Sequence, residues 1–524
     1  MPLANIKPGG GFSTDQPAEE IAGEFINRAT NVRTLDGHLT RALPFEPILA
    51  TPSTITPPRW LLPNQSASDA FWIYAGDSLV GVTDGTTHKD ITPAAWTDHS
   101  PFAQPFTGGI VNQLPVINAR TDGPFFWDQD FLTPSVLQPL PDWPAADVAQ
   151  TMRPFREFLI AMDINVSGTQ FPDLLRWSDA APPGNVPQSW TPGLQSQAGE
   201  LSVSFMPGEI VDGAQLLDRF YVYKTTSCYV LTLVGGIFIF NQRPAFATVG
   251  ALARNCVIEY RGRHFVLTDG DFVSHDGLQV VSHADKKVRR EIFNKMDGDN
   301  FANSYIAISP SRSQLAICRP LAGETFPSEA ITFNLDDGTW GHQLLVPNNE
   351  TRSGTPHIFE GLVDSGNDLE NNWNDKTTTW DNDDTRWNED AFSRVENHIV
   401  LADFEGLRLQ GLGFGNDQDG TPLEAIAERT GITMGDPKTR KFVRRVWPRF
   451  YGGAGGTIEI QIGAHDSPDE EPNYSDPKIF EIDIDRTVTV DVSGFYLAYR
   501  FRSVGGIGWR LPSFEIEFEV MGQF

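Results

Sequence analysis

The sequence predicts an all-β fold with very little helix, and three observations support this. Short runs of β-branched and aromatic residues recur along most of the 524 residues, with turn residues between them. Glycine and proline are frequent, at 47 and 38 residues, which suits a chain with many tight turns. Hydrophobic residues make up 40% of the chain, enough for a sizeable core, and this excludes a mainly disordered protein.

The clearest strands lie between residues 221 and 282. YVYK, CYVLTL and IFIF are apolar runs, and CVIEY-RGR-HFVLT and DFVSH-DG-LQVVS each indicate a hairpin, the second with Asp276-Gly277 as its turn pair. FWIY-AGD-SLVGV near residue 71 and YIAIS…SQLAI near residue 305 are similar units. Short strands at regular spacing are typical of sandwiches and propellers. Because they continue through most of the chain, they favour a β-propeller, which grows by radial repetition.

The C-terminal part has a different pattern. TIEIQIGA, IFEIDID, TVTVDVS, FYLAYRF and FEIEFEVM alternate in polarity at every second residue, which predicts a compact antiparallel β-sandwich-like domain. The glycine-rich stretch GLGFGNDQDG (411–420) marks a boundary before it. We therefore predict an N-terminal segment at 1–50, a propeller at 51–415 and a C-terminal β-domain at 416–524.

Helical periodicity is limited to two segments. In 284–296, Val288 and Ile292 share an apolar face with basic residues opposite, and a weaker pattern runs through 17–31. Both are expected to be minor elements of the fold.

The charge balance excludes several functions. The 68 acidic and 40 basic side chains give a net charge of −28, which disfavours general nucleic-acid binding and docking on anionic membranes. The N-terminus has no signal-peptide pattern, and the longest apolar run, 229–240, is too short to span a bilayer. Cys228, Cys256 and Cys318 lie in apolar runs and are expected to be buried, reduced thiols. Synthesis and folding in the cytoplasm are therefore expected, with no membrane insertion.

The segment 360–390 is the densest charge feature. It is rich in acidic residues and holds Trp373, Trp380 and Trp387 at intervals of seven. DNDDTRWNED lacks the glycine and the final glutamate of a calcium loop, so a solvated acidic loop held by tryptophans is favoured over a cation site.

A basic cluster stands out against this acidity. KTRKFVRRVWPRF holds Lys438, Arg440, Lys441, Arg444, Arg445 and Arg449, and Phe442, Val443, Val446, Trp447 and Phe450 are expected to be its buried side. The cluster is a solvated strand face or a dock for an acidic surface of a neighbouring subunit, and nucleic-acid binding is a third, less favoured alternative. The candidate subunit-contact residues are therefore Lys438, Arg440, Lys441, Arg444, Arg445, Arg449, Trp373, Trp380, Asp381, Asp383, Asp384 and Trp387.

Catalytic motifs are missing from the sequence. It has no H-x-x-x-H or H-E-x-x-H spacing, no G-x-S-x-G elbow and no P-loop. NLDDGTW (334–340) is one residue short of a sialidase Asp-box and is better explained as a turn between strands, and GGAGG (452–456) precedes a strand, so it has no helix N-terminus for phosphate. We expect no enzyme activity, no cofactor and no metal.

Six phrases resemble, in this order, the tail nozzle (tail tubular, or tail hub) proteins of short-tailed bacteriophages. GGGFSTDQ…EFINRATNVRTLDGHLTRALPF (9–45) has the family's Asn-Val-Arg followed by Asp-Gly, and WIYAGDSLVGVTDGTTHKDIT (72–92) has its strand–turn–strand unit. LLRWSDAAPPGNVPQSW (174–190) is similar to the phrase that opens a blade, and YRGRHFVLTDGDFVSHDG (260–277) is the most specific match. KTTTWDNDDTRWNED (376–390) resembles a "TTWD…W" element, and ERTGITMGDPKTRKFVRRVWPRF (428–450) resembles the entry to the C-terminal β-domain.

The resemblance implies a β-propeller on a β-rich platform that residues 1–50 join, in a structural virion protein of podoviruses. Six copies would form a ring-shaped nozzle below the portal and the head–tail adaptor ring, and tail fibres or a tail needle would attach to it. Double-stranded DNA would pass through during genome ejection without specific binding. The number six comes from the resemblance alone, as does the expected place in the virion tail after synthesis in the host cytoplasm. The alternative is a phage-borne glycan-binding or glycan-cleaving β-propeller.

Overall fold

A computed structural model gives the structure of the chain. It describes residues 2–48, 54–63, 71–85, 87–129, 135–194, 196–235, 239–347, 354–364, 395–413, 417–453, 455–468, 470–505 and 508–522. Throughout these residues the protein is all-β, with almost no helix and many small antiparallel sheets, which confirms the predicted fold class at this level. The helical elements among them are one α-helix, Arg289–Asn294, and the 3-10 turns Phe301–Asn303 and Pro310–Arg312.

Seven groups of four antiparallel strands follow one another along the described chain, and we number them sheets 1 to 7. Sheets 1 and 2 are Trp60–Pro63, Trp72–Ala75, Val80–Thr83, His88–Asp90 and Phe106–Val111, Leu114–Ala119, Gly123–Phe126, Gln138–Pro139. Sheets 3 and 4 are Val148–Phe155, Phe158–Val166, Thr169–Trp177, Gly199–Ser202 and Ile210–Leu216, Arg219–Lys224, Cys228–Leu233, Phe240–Phe246. Sheets 5 and 6 are Val257–Tyr260, Arg263–Leu267, Phe272–His275, Val280–Ser282 and Tyr305–Ser309, Gln314–Cys318, Glu329–Asn334, Trp340–Leu344. Sheet 7 is Ile358–Asp364, Val395–Asp403, Arg408–Leu412 and, from the N-terminal part of the chain, Phe45–Ile48.

Successive sheets share clusters of buried hydrophobic side chains, and these clusters close a circle. Six of them join sheets 1 and 2, 2 and 3, 3 and 4, 4 and 5, 5 and 6, and 6 and 7. A further cluster returns from Val363 and Val400 of sheet 7 to Trp72 and Tyr74 of sheet 1. The first strands of sheets 2 to 7 adjoin in the same order, and that of sheet 7 lies beside that of sheet 1. Each sheet therefore buries both faces against its neighbours.

The N-terminal strands join distant parts of the chain. Sheet 6 continues through Val32–Leu35, His38–Arg41, Trp509–Leu511 and Tyr451–Gly452, so that it becomes one eight-stranded sheet. Phe45–Ile48 pairs with Arg408–Leu412 and completes sheet 7. A short parallel pair, Gly11–Phe12 with Phe25–Ile26, lies beside these strands. The predicted domain boundaries at 50 and 415 stay predictions.

The C-terminal strands form two antiparallel sheets over one core. Sheet A consists of Leu3–Ile6, Phe514–Gly522, Arg440–Pro448 and Val488–Gly494. Sheet B consists of Asn473–Tyr474, Thr457–His465, Tyr496–Val504, Glu424–Ile432 and Arg28–Thr30, with Lys478–Glu481 also paired to Thr457–His465. Val443 and Val446 of sheet A pack with Ile458 and Ile460 of sheet B, as the alternating polarity predicts.

Most local predictions agree with the strands, and the helical ones were partly wrong. The hairpin at Asp276-Gly277 forms, and Asp276 Oδ1 accepts the N–H groups of Leu278 and Gln279 at 2.9 Å. Of the predicted run IFIF, Phe240 begins the last strand of sheet 4 and pairs with Leu233, whereas residues 237 and 238 lie outside the described residues.

The predicted helix at 17–31 does not form. Its residues make the short strands Phe25–Ile26 and Arg28–Thr30, since pairing with distant strands outweighs a weak helical periodicity that Gly23 interrupts. The helix predicted at 284–296 shrinks to Arg289–Asn294, with Ile292 buried as expected. Cys228, Cys256 and Cys318 are buried free thiols, as predicted.

Candidate functional site

The basic cluster lies on the strand Arg440–Pro448 of sheet A, and a β-bulge shapes it. Val443 faces Phe518 and Arg445 faces Glu517 on the neighbouring strand, which leaves Arg444 without a partner there. An extra residue in one strand changes the direction of the side chains around it, so that successive side chains no longer alternate between the two faces of the sheet. Arg444 and Arg445 are consequently both exposed, side by side on the outer face of the sheet.

Two predictions about which side chains of this strand are buried were wrong. Phe442 and Trp447 were predicted to be buried, but both lie on the outer face of the strand and are only half-buried. Lys441 was predicted to be part of the basic surface, but it is buried, and its Nζ donates to the carbonyl oxygens of Asp436 and Phe495. Burial lowers the pKa of Lys441, which serves a structural role.

Two of the other cations are already paired within the chain. Arg440 lies 3.3 Å from Asp466, and Arg449 lies 2.5 Å from Glu515. Arg444 and Arg445, by contrast, form no ion pair with any residue that the structure describes, and Lys438 is exposed at the strand entry. On this strand, Arg444 and Arg445 therefore remain as the candidate subunit-contact residues. Arg445 lies opposite Glu517 on the neighbouring strand.

The other candidate subunit-contact residues belong to the acidic segment 360–390. Trp373, Trp380, Asp381, Asp383, Asp384 and Trp387 lie outside the described residues. Their pairing with the basic strand stays a prediction.

A central cavity, which the sequence did not reveal, lies where the first strands of the seven sheets meet. Its volume is about 730 Å³, and each first strand contributes to its wall; one residue from each is Trp60, Gly108, Pro154, Gly213, Ile258, Ile306 and Phe359. The carboxylates of Glu259 and Glu360 also line it. Glu259 accepts the N–H of Gly262 at 2.8 Å and Glu360 that of Ser311 at 3.3 Å, both of which are backbone groups. The size suits a small ligand, but neither carboxylate is hydrogen-bonded to a catalytic partner within the described structure.

A buried polar network crosses one end of this cavity. Arg153 donates from Nε and Nη2 to the two carboxylate oxygens of Asp212, at 2.8 Å each, and from Nη2 to Asn255 at 2.7 Å. Asn255 donates to Gln104 at 2.8 Å, and the amide of Gln104 reaches the carbonyl oxygens of Asn303 and Pro356 at 3.3 and 3.4 Å. These residues stand at or just before the first strands of sheets 2 to 7.

This network ties the sheets together at their centre. The ion pair of Arg153 and Asp212 is fully used in hydrogen bonds, because Asp212 also accepts the N–H groups of Gly213 and Asn255 at 2.8 Å. An ion pair with this many hydrogen bonds holds the strands that carry it in place. Sequence reasoning missed it, because nothing local distinguishes these polar residues from their neighbours.

The described residues contain neither a metal-ligand cluster nor a membrane-spanning helix. Among them, no group of three or more His, Cys, Asp or Glu side chains is placed to hold a metal ion. None of the helices in this part of the chain has the length or the apolar character to traverse a bilayer.

Comparison with known proteins finds likeness to solved structures at low sequence identity. No protein-family model matches the chain, and no curated protein matches it. It is similar to the extracellular domain of a protein described as a hybrid two component system, BT4673, from B. thetaiotaomicron, with 12% identity and a TM-score of 0.41; the match covers 79% of this chain and 45% of that one. The chain thus spans less than half the length of that protein.

Two further structures are similar at the same level. The AfRom2 CNH domain has 10% identity and a TM-score of 0.35, over 70% of this chain and 97% of that chain. An exo-beta-1,3-galactanase from Phanerochaete chrysosporium, solved with galactose, has 8% identity and a TM-score of 0.28, over 82% and 99%. Likeness at this level assigns no function.

Proposed function

We propose that the chain is a structural virion protein that assembles into a ring-shaped tail nozzle of a short-tailed bacteriophage. The observation that carries this proposal is the order of the family-like phrases along the chain. The phrase at 72–92 forms the second to fourth strands of sheet 1, and the phrase at 260–277 forms the central hairpin of sheet 5. The phrase at 428–450 links a strand of sheet B to the basic strand of sheet A. Strand–turn–strand phrases therefore fall on strand–turn–strand units.

In the same proposal, sheets 1 to 7 are the blades of a seven-bladed β-propeller. The circle of hydrophobic clusters supports it, because the last cluster returns to sheet 1. Sheet 7 supports it too, since one of its strands, Phe45–Ile48, comes from the opposite end of the chain and fastens the ring. Sheets A and B, with the extension of sheet 6, would then be the β-rich platform.

The platform gives the ring its contact surface in this proposal. Heterologous contacts between identical chains produce closed rings when the rotation between neighbours closes. Arg444 and Arg445 offer two unpaired guanidinium groups on the outer face of sheet A, in a chain whose net charge of −28 makes acidic partner surfaces abundant. The hexameric number, the adaptor ring, and the tail fibres or needle follow from the resemblance alone.

The net charge also fits a conduit for DNA. Double-stranded DNA carries one negative charge per about 1.7 Å, so a basic lining would retain it through counterion release. A wall of carboxylates or neutral groups lets it pass. Tight binding of duplex DNA by the purified protein at physiological salt would contradict this part of the proposal.

Electron microscopy of the purified protein tests the proposal directly. We expect class averages that show rings, either for the protein alone or after addition of the adaptor ring. A protein that stays monomeric under both conditions, by microscopy and by native mass spectrometry, would refute it. A reducing-sugar assay and a glycan array test the alternative, and turnover of a polysaccharide would favour the glycan-cleaving function instead.

A further inference from the structure

Two arginines share one face of the eight-stranded sheet, and a third comes from a turn beside it; we call the three the arginine face. Arg33 lies opposite Thr40, and Thr40 lies opposite Arg510 on the next strand, so the two arginines are two strands apart on the same face. Strands in a sheet are about 4.8 Å apart, which places the two long side chains within reach of one small ligand. Arg312 comes from the 3-10 turn Pro310–Arg312 that precedes Gln314, and Gln314 accepts a hydrogen bond from Arg33 Nη1 at 3.2 Å.

Several donors of this arginine face have no acceptor. Arg33 Nε, Arg312 Nη1 and Thr339 Oγ1 are shielded from solvent and have no hydrogen-bond partner within the described part of the chain. A cavity of about 10 Å³ lies between these residues and is lined also by Gln314 and Asn334. That volume is close to the minimum that one water molecule or one ligand oxygen requires. Buried donors that face a small polar cavity normally have an acceptor in it.

The positive charge of the arginine face is only partly compensated by carboxylates. None of its three guanidinium groups forms a salt bridge with a described residue. Burial and the neighbouring positive charges of Arg312 and Arg510 lower the pKa of Arg33 to about 10. Burial also lowers the pKa of Arg312, and the negative charge of Glu360, which accepts the N–H of Ser311, partly offsets this effect. Clustered cations without counter-ions are costly to bury, and a bound anion removes that cost.

We propose that Arg33, Arg312 and Arg510 form a binding site for one small oxyanion, a phosphate or a carboxylate group. Arg33 Nη1 is used by Gln314, which leaves the Nε–Nη2 edge open, and this edge binds oxyanions in a bidentate manner. One oxygen of the ligand occupies the small cavity, where Arg33 Nε, Arg312 Nη1 and Thr339 Oγ1 donate to it. The remaining oxygens face the exposed Arg510. The site does not depend on the assembly proposed above.

Titration of the full-length protein with inorganic phosphate tests the site. Calorimetry at constant ionic strength, with sodium acetate as the carboxylate probe and sodium chloride as the reference salt, measures the binding. We expect saturable binding of phosphate or acetate that is at least tenfold weaker in Arg510→Gln, because one charge-assisted hydrogen bond is lost. Arg33→Gln should abolish the binding, whereas Arg486→Gln, an exposed arginine away from the site, should leave it unchanged.

The outcomes separate an anion from a water molecule and one anion source from another. Arg510 is exposed, so Arg510→Gln keeps the fold and remains informative even if Arg33→Gln does not fold. Saturable phosphate binding identifies a free tetrahedral anion as the ligand. Acetate binding without phosphate binding identifies a carboxylate, as an acidic side chain of another protein molecule would supply. Failure of both probes to bind, or binding that persists in Arg510→Gln and Arg33→Gln, would overturn the proposal and leave a water molecule as the occupant.

Discussion

Replacing Tyr223 with Phe tests a buried hydrogen-bond chain that joins sheet 4 to sheet 5. Tyr223, His264 and His275 are all fully buried, and the Tyr223 hydroxyl lies 2.7 Å from His264 Nδ1 and 2.6 Å from His275 Nε2. His264 Nε2 donates to the carbonyl of Gln215 at 2.8 Å, so its Nδ1 accepts from the hydroxyl. His275 Nδ1 accepts the N–H of Gly277 at 3.2 Å, so its Nε2 donates to the hydroxyl oxygen. Hydrogen bonds are thus donated in one direction, from His275 to Tyr223, from Tyr223 to His264, and from His264 to Gln215.

The cost of Tyr223→Phe follows from the two groups it leaves unsatisfied. An unpaired buried donor or acceptor costs about 1–3 kcal/mol, so the free energy of unfolding should fall by about 2–6 kcal/mol. Urea unfolding followed by fluorescence measures this. The matched control is Tyr499→Phe, because the Tyr499 hydroxyl is buried without a partner in the described structure and its removal should be neutral or stabilising. Equal losses in the two variants would refute the reasoning.

The same histidines predict how stability depends on pH. Burial lowers the pKa of His264 to about 3 and that of His275 to about 4, from 6.5 in an exposed histidine. Between about pH 4 and pH 6.5 the unfolded chain binds more protons at these histidines than the folded chain does. The stability that the two histidines contribute is therefore present above pH 6.5 and is lost as the pH falls below it. Well below pH 6.5 each histidine lowers the free energy of unfolding by about 1.4 kcal/mol per pH unit, which amounts to about 3 kcal/mol for the pair between pH 6.5 and 5. A flat stability profile over that range, or an NMR spectrum that shows His264 protonated at Nδ1, would contradict the assigned chain.

Three further predictions concern surfaces and the central cavity. The double variant Arg444→Glu/Arg445→Glu should weaken self-assembly, most strongly at low salt, where screening is least. The control variant Arg243→Glu/Arg486→Glu makes the same charge change at other exposed arginines and should not weaken it. Native mass spectrometry measures the assembly of both variants, and equal effects would show that Arg444 and Arg445 are not part of the subunit contact. Asp212→Asn should lower the free energy of unfolding by about 3–5 kcal/mol, because Arg153 loses its counter-ion. In the control variant Asp218→Asn, which changes an exposed ion pair, the free energy of unfolding should fall by about 0–1 kcal/mol. Similar losses in the two variants would argue against a structural role of the central network. We expect no polysaccharide turnover by the wild-type protein, and turnover that Glu259→Gln or Glu360→Gln abolishes would show that the central cavity is an active site.

The local features of the fold could be predicted from the sequence. Alternating polarity placed five strands of sheets A and B, and turn residues such as Asp276-Gly277 placed hairpins, because both signals depend only on residues close together in the chain. Burial of the three cysteines followed from the apolar runs around them. The helix predicted from the weak pattern at 17–31 was wrong, because Phe25–Ile26 pairs with Gly11–Phe12 and Ala29 pairs with Ala427, nearly 400 positions away.

Tertiary structure alone decided which charged groups are available. Lys441 and Arg444 lie in one basic run, but a bulge set by pairing with residues 514–522 exposes Arg444, while Lys441 is buried against distant carbonyl oxygens. The network of Arg153, Asp212, Asn255 and Gln104 and the arginine face of Arg33, Arg312 and Arg510 each bring together residues that are far apart in the sequence. No local pattern encodes such sites, because a charge acquires its partners, its burial and its pKa only from the residues that the fold places beside it.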